Sequence, residues 1–203
     1  MPDLHQVNLA DPEADKGLIE IQTSSVTVYK GNFLTVMRDG IRLPDGKSAT
    51  REYIDHPGAV MIIPLLDDGR VLLERQYRYP IGQVMIEFPA GKLDAGEDPL
   101  ACAARELREE TGYTVREFFF ITRIHPVISS STEVIDIYLA RGLTAGPSDL
   151  DDGEFLETFK VEVRTLLDWV RSGKVSDVKT IIGTFWLEKL LSGSWGLGPI
   201  LTV

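Results

Sequence analysis

Glu106, Glu109 and Glu110 crowd the far end of the stretch GKLDAGEDPLACAARELREETGY, Gly91 to Tyr113. Asp98 suits a helix N-cap, Pro99 the first helical position and Gly112 a left-handed C-cap, so the stretch between them predicts a helix. On it Leu100, Ala103, Ala104, Leu107 and Thr111 form one apolar stripe for packing on a sheet. Glu106 and Glu110, four residues apart, share a neighbouring face, and Glu109 lies beside them. Arg105 can pair with Glu109, but the residues four away from Glu106 are Cys102 and Glu110. Like charges at that spacing cost roughly 0.2–0.5 kcal/mol. Anions in the last turn also oppose the helix dipole, by roughly 0.3–1 kcal/mol each. Small costs of one sign at one spot call for a cation, and hard divalent cations such as Mg²⁺ prefer carboxylate and carbonyl oxygens.

The rest of the chain must position that helix. Its 203 residues are enough for one sizeable core with a small appended unit. The net charge of −10 repels phosphates and argues against a general grip on DNA or RNA. A single cysteine, Cys102, excludes an internal disulfide. The first residues lack a basic start and an apolar run, and no stretch of 18 apolar residues occurs. The expectation is a cytoplasmic protein that engages neither membrane nor nucleic acid.

Residues 1 to about 20 read as a polar arm. Short β-branched and aromatic runs follow, separated by the turn signals Asp39-Gly40, Pro44-Asp45-Gly46 and Asp68-Gly69. After the glutamate-rich helix come FFFITRI and VIDIYLARGL, two strands joined by the Ser-rich loop HPVISSSTE. The acidic GPSDLDDGE reads as a solvated turn, and RTLLDWVRSG and SDVKTIIGTFWLEKLLSG as helices with Trp169 and Trp186 in the core. That order predicts an α+β protein rather than a doubly wound sheet.

Gly91, Glu97, Arg105-Glu106-Leu107, Glu109-Glu110 and Gly112 stand at the spacing of the Nudix box. The stretch resembles that of the Nudix hydrolases, with Tyr113 where an aliphatic residue is usual. The resemblance implies a Nudix fold, a mixed β-sheet sandwiched between helices, over residues 56–203. It further implies metal ligation by Glu106, Glu110, Glu109 and the carbonyl of Ala90. Glu97 and Arg105 would brace the loop and helix. The implied cofactor is Mg²⁺, with Mn²⁺ or another divalent cation as alternative.

Gln76-Tyr77-Arg78 and Glu87-Phe88-Pro89-Ala90-Gly91 are similar to the ADP-ribose pyrophosphatase and nucleotide-sugar branch. In that branch an N-terminal antiparallel β subdomain, here residues 1–55, is exchanged in a homodimer. Arg51 and Glu52 match a pair that reaches the partner's nucleotide, and Arg78 approaches substrate from its own subunit. Glu133 matches a loop glutamate that orients or deprotonates the attacking water, and Glu109 could share that catalytic work. Ile128 and Ser129 depart from the Pro and Gly often found in that loop. The resemblance thus implies hydrolysis of ADP-ribose or a related nucleoside diphosphate sugar. The alternatives are a GDP-mannose or broad nucleotide-sugar pyrophosphatase and, in another class, a non-catalytic ligand sensor. His125 and Cys102 read as structural.

Overall fold

The computed structural model describes residues 15–150 and 152–202. Most of the N-terminal arm, and Asp151 of the acidic loop, lie outside them. The chain divides into two compact units, residues 1–56 with 129–132, and residues 57–128 with 133–203.

The first unit is an antiparallel sheet in the order β1 (Ile21–Lys30), β2 (Thr35–Arg42), β3 (Ser48–Asp55). Every residue of β1 is exposed, including Ile21, Val26, Val28 and Tyr29. The dipeptide Asp39-Gly40 is not a turn. It lies inside β2, where Asp39 pairs with Arg51 and Gly40 with Thr50. Asp39 is buried and accepts hydrogen bonds from Gln22 (2.7 Å) and Tyr53 (3.1 Å). Gly40 is required by space rather than by a turn, since a Cβ there would stand 2.5 Å from the Ser24 hydroxyl. The Ser-rich loop is also held more firmly than its composition suggests. Ile54 donates to the Ser130 carbonyl (2.9 Å) and Thr132 donates back to that of Ile54 (3.0 Å), which adds a strand-like rung to the end of β3.

The second unit carries the larger core. One mixed sheet has the order β7 (Ala90–Lys92), β4 (Ala59–Pro64), β10 (Ile135–Arg141), β9 (Glu117–Ile124), with β4 and β10 parallel. An antiparallel sheet has the order β12 (Leu156–Glu162), β5 (Arg70–Arg78), β6 (Gln83–Glu87). A two-stranded ribbon, β8 (Tyr113–Thr114) with β11 (Thr144–Ala145), completes the strands. The helices are α1 (Pro99–Thr111), α2 (Val163–Arg171) and α3 (Val178–Leu191), and none of them is long and apolar enough to cross a membrane.

The period-2 alternation of β4 organises the layers. Val60 and Ile62 face Cys102, Ala103 and Leu107 of α1, whereas Met61 and Ile63 face the opposite cluster, with Leu73, Phe88, Leu166 and Leu187. Each of these large side chains, fully buried, contributes roughly 1.5–3 kcal/mol. Gly183 lets α3 approach closely, because a Cβ there would lie 2.6 Å from the Met61 methyl. The fold is therefore the expected α+β sandwich, with the glutamate-rich helix packed on the mixed sheet. Trp169 packs at the edge of the core and Trp186 against Trp195.

Both ends of α1 match the sequence signals. Asp98 accepts from the N–H groups of Leu100 (3.0 Å) and Ala101 (3.2 Å), and Gly112 takes a left-handed φ of 74°. A Cβ on Gly112 would stand 2.3 Å from the Gly146 carbonyl oxygen and 2.7 Å from Ser148 N, both backbone atoms. Asp98→Ala is expected to cost about 1 kcal/mol. Gly112→Ala should cost more than about 2 kcal/mol, since the left-handed penalty and a backbone clash add. Urea denaturation of the two variants checks the order, and equal midpoints would contradict it.

Candidate active site

Arg105 is the hub at the start of the site. Its guanidinium donates to both oxygens of Glu97 (2.8 Å each), to Glu106 (2.9 Å) and to Glu109 (3.1 Å). Glu97 also accepts from the Asp94 N–H (2.9 Å), which ties the loop before α1 to the helix. The Arg105 hydrogen bonds hold the Glu97 carboxyl down to about 2. The i±4 spacing of the helix offers Glu106 no partner of opposite charge. The long Arg105 side chain reaches it from the next position. Even so, three carboxylates share this one guanidinium.

A second group of charges lies deeper. Glu74, Gln76 and Arg78 share one face of β5 by strand alternation. Glu74 sits directly opposite Glu87 of β6, and both are buried. Arg78 forks onto Glu87 (2.7 and 3.0 Å), and Lys179 of α3 bonds the same carboxylate. Burial alone would raise the Glu87 carboxyl, but Arg78 and Lys179 outweigh it and hold it below its ordinary range. Gln76 donates to Glu154 (3.0 Å), in the loop before β12.

Glu110 of α1 joins this group. It is buried and accepts a hydrogen bond from the Ala90 N–H (3.1 Å). Burial, then the charges of Glu74, Glu106 and Glu154, push its carboxyl far above the usual range. Burial and Glu87 do the same to Glu74, and burial raises Glu106 against the pull of Arg105. Glu74 is fully buried, and neither of its carboxylate oxygens has a hydrogen-bond donor.

Among the described residues no three His, Cys, Asp or Glu side chains form a ready-made metal cage. The donor set nevertheless fits a hard divalent cation. Its oxygens are carboxylates, two of them orphaned and buried, with the Ala90 carbonyl on the adjoining strand. Gly91 makes room for this set, because a Cβ there would stand 1.9 Å from the Glu106 carboxyl carbon. Cys102 is buried, and burial raises its thiol, so it stays protonated and takes no part.

The structure thus brings Ala90, Glu106, Glu109 and Glu110 together, and joins Arg78 to them through Glu87. Arg51 and Glu52 lie in the N-terminal unit. Arg51 bonds Glu20 there, and Glu52 accepts from Arg38 (2.8 Å). Glu133, half-buried, follows the tethered segment and precedes β10. Sequence reasoning missed Glu74, Glu87, Lys179 and Glu154. A signal existed for Glu74, a charge placed straight after Val71-Leu72-Leu73 in a strand. Glu154 belongs to the loop read as a solvated turn, yet its charge acts on both Glu106 and Glu110.

Comparison with known proteins gives the family of the chain. Residues 55–177 match the NUDIX domain, and residues 20–54 match the nucleoside diphosphate sugar hydrolase N-terminal domain. The chain belongs to the Nudix family of hydrolases. It is 34% identical to the ADP-ribose pyrophosphatase of Bacillus subtilis, over 85% of this chain and 95% of that one. It is 32% identical to the methanol dehydrogenase activator of Bacillus methanolicus, over 79% and 88%. A crystal structure of an ADP compounds hydrolase shares the fold, with a TM-score of 0.77 at 22% identity over 86% of this chain and 95% of that one.

Gly91 offers a clean probe of this Nudix site. It has no positive φ, so alanine strains no backbone, and the nearest atoms that must swing away all belong to the Glu106 carboxylate. Gly91→Ala is expected to melt within a few degrees of the native protein. Its hydrolytic rate should fall at least about 10-fold, the usual scale for disturbing the support of a metal ligand. Thermal melting and a rate assay check both halves, and a native rate would separate Glu106 from the reaction.

Proposed function

We propose that the protein hydrolyses the pyrophosphate of ADP-ribose or a related nucleoside diphosphate sugar, giving a nucleoside monophosphate and a sugar phosphate. The observation that carries this reading is the excess of carboxylates around Glu110, in a chain similar over most of its length to an ADP-ribose pyrophosphatase. The cofactor is Mg²⁺, with Mn²⁺ as the alternative, held by Glu106, Glu110, Glu109 and the Ala90 carbonyl. When bound, it neutralises pyrophosphate charge and acidifies a coordinated water.

The residues of the chain do the rest. A carboxylate takes a proton from the attacking water as its oxygen bonds to phosphorus, and the bridging P–O bond breaks to release the second phosphate. Two residues are candidates for that base. Glu133 is favoured by the family resemblance. Glu154 is favoured by its charge beside Glu106 and Glu110 and by the Gln76 tether. Arg78 contacts substrate from its own subunit, with more than a third of its side chain exposed despite the fork to Glu87. Arg51 and Glu52 serve the nucleotide bound by the other subunit of a homodimer, in which residues 1–55 are exchanged. The continuous exposure of β1, apolar residues included, supports such a partner. The protein works in the cytoplasm on a small molecule, without nucleic acid or membrane.

A substrate panel with Mg²⁺, its products resolved by chromatography, tests the reading. ADP-ribose or another ADP-sugar should be cleaved to AMP. Preferential cleavage of GDP-mannose would move the specificity, and binding without turnover would make the protein a sensor. Glu133→Gln and Glu154→Gln assign the base. The variant lacking it should lose roughly 10²–10⁴ in kcat, while the other changes far less. Sedimentation at micromolar concentration should give a dimer. A fully active monomer would remove Arg51 and Glu52 from the site.

A further inference from the structure

Glu74 lies outside the stretch that holds Glu106, Glu109 and Glu110, yet it is more deeply buried than any of them. Its side chain is fully inaccessible, and both of its oxygens lack any donor. Burying an ionised carboxylate without a partner is among the most costly things a fold can do. Its neighbours do not relieve it. Glu87 stands directly across the β5–β6 pair, and like charges directly opposite repel. Glu110 faces it from α1, and two ionised carboxylates so placed repel each other. The nearby cations are committed elsewhere. Arg78 forks onto Glu87, and Lys179 is shared between Glu87 and Asp177. Among the described residues the cations that act most strongly on Glu74 and Glu87 are Arg78 and Lys179, and the deficit falls on Glu74 and Glu110, which neither cation bonds.

Hydrogen bonds explain how Glu87 is kept buried, and the Ala90 N–H partly explains Glu110. Nothing on β5, β6, α1 or α3 explains Glu74 as a structural residue. An apolar side chain would continue the run Val71-Leu72-Leu73 at no such cost. We propose that Glu74 is a further carboxylate of the cation site, holding a divalent cation jointly with Glu110. This rests on the reading of Glu106, Glu109 and Glu110 as the cation-binding set, and it extends that set from the helix to the strand facing it. β5 then anchors the site through three successive side chains of one face: Glu74 at the cation, Gln76 at Glu154 and Arg78 at Glu87.

The test uses Mn²⁺ alone, with the free ion followed by electron paramagnetic resonance during titration of the full chain. Native protein should bind Mn²⁺. Glu74→Gln, shown by circular dichroism to be folded, should bind it at least tenfold more weakly. Glu110→Gln should also bind more weakly. If Glu74→Gln does not fold, Glu74→Asp keeps the charge but draws the oxygens back by one methylene, and it should show the same loss. Native affinity in the folded variant overturns the proposal while leaving the helix set intact, provided Glu110→Gln is impaired. If native protein binds no Mn²⁺, or Glu110→Gln binds it normally, the cation site itself has been misassigned and Glu74 falls with it.

Discussion

More negative charge is gathered around Glu110 than the neighbouring arginines and lysine can neutralise, and the rest of the site is arranged to tolerate that imbalance. Arg105 serves Glu97, Glu106 and Glu109, while Arg78 and Lys179 serve Glu87. Each of these cations is shared or forked, and Glu74 and Glu110 are left with a single backbone N–H between them. Such a cluster repels itself in every conformation that brings it together. It must therefore be imposed by parts of the fold whose own stability is ample.

The β4 strand supplies that stability. Its alternating side chains enter two separate clusters, one under α1 and the other under α2 and α3. The same strand pairs with β7, which presents Ala90 and Gly91 to the helix. The site thus sits at the junction of both cores, where neither α1 nor β7 can retreat from the charges. Gly91 and Gly112 then remove the last obstacles. One leaves space for the Glu106 carboxylate, and the other lets the chain turn off α1 against the backbone of residues 146–148. Local order, layer packing and electrostatic strain are consequently settled by the same few residues.

What could be read from the sequence was whatever depends on neighbours along the chain. The caps of α1, its apolar stripe and the crowding of Glu106, Glu109 and Glu110 are all set within one helical stretch, and they stand in the structure as read. Contacts made across the fold were not legible in that way. Glu74 and Glu110 are 36 positions apart in number and meet only because β5 and α1 flank the same junction. The acidic loop was read as solvated because its composition is that of a turn, but Gln76 reaches Glu154 from another element. Asp39-Gly40 carries a turn signature for a reason of packing, with a buried carboxylate and a glycine under Ser24. Composition reports what a residue tolerates, and the fold decides which tolerance is used.

The same imbalance links stability to pH and to cation binding in opposite senses. Glu74 and Glu110 have folded-state values above their ordinary range, through burial first and then through the charge of Glu87 on Glu74 and those of Glu74, Glu106 and Glu154 on Glu110. The folded chain therefore binds more protons than the unfolded one once the pH exceeds the ordinary carboxylate value. Linkage then makes this pair's contribution fall as pH rises through neutrality, the reverse of the ordinary ion-paired carboxylate. Glu97, held low by Arg105, behaves in the ordinary way, and its contribution is lost only in acid. A divalent cation competes with those same protons, since it binds the ionised oxygens. Raising the pH thus weakens the cation-free fold at the junction while strengthening its demand for a cation. A ligand bound only by the folded chain returns stability by mass action. A lysine in that position would have balanced the charge permanently, but it would also have filled the space and removed the negative field that draws a cation in.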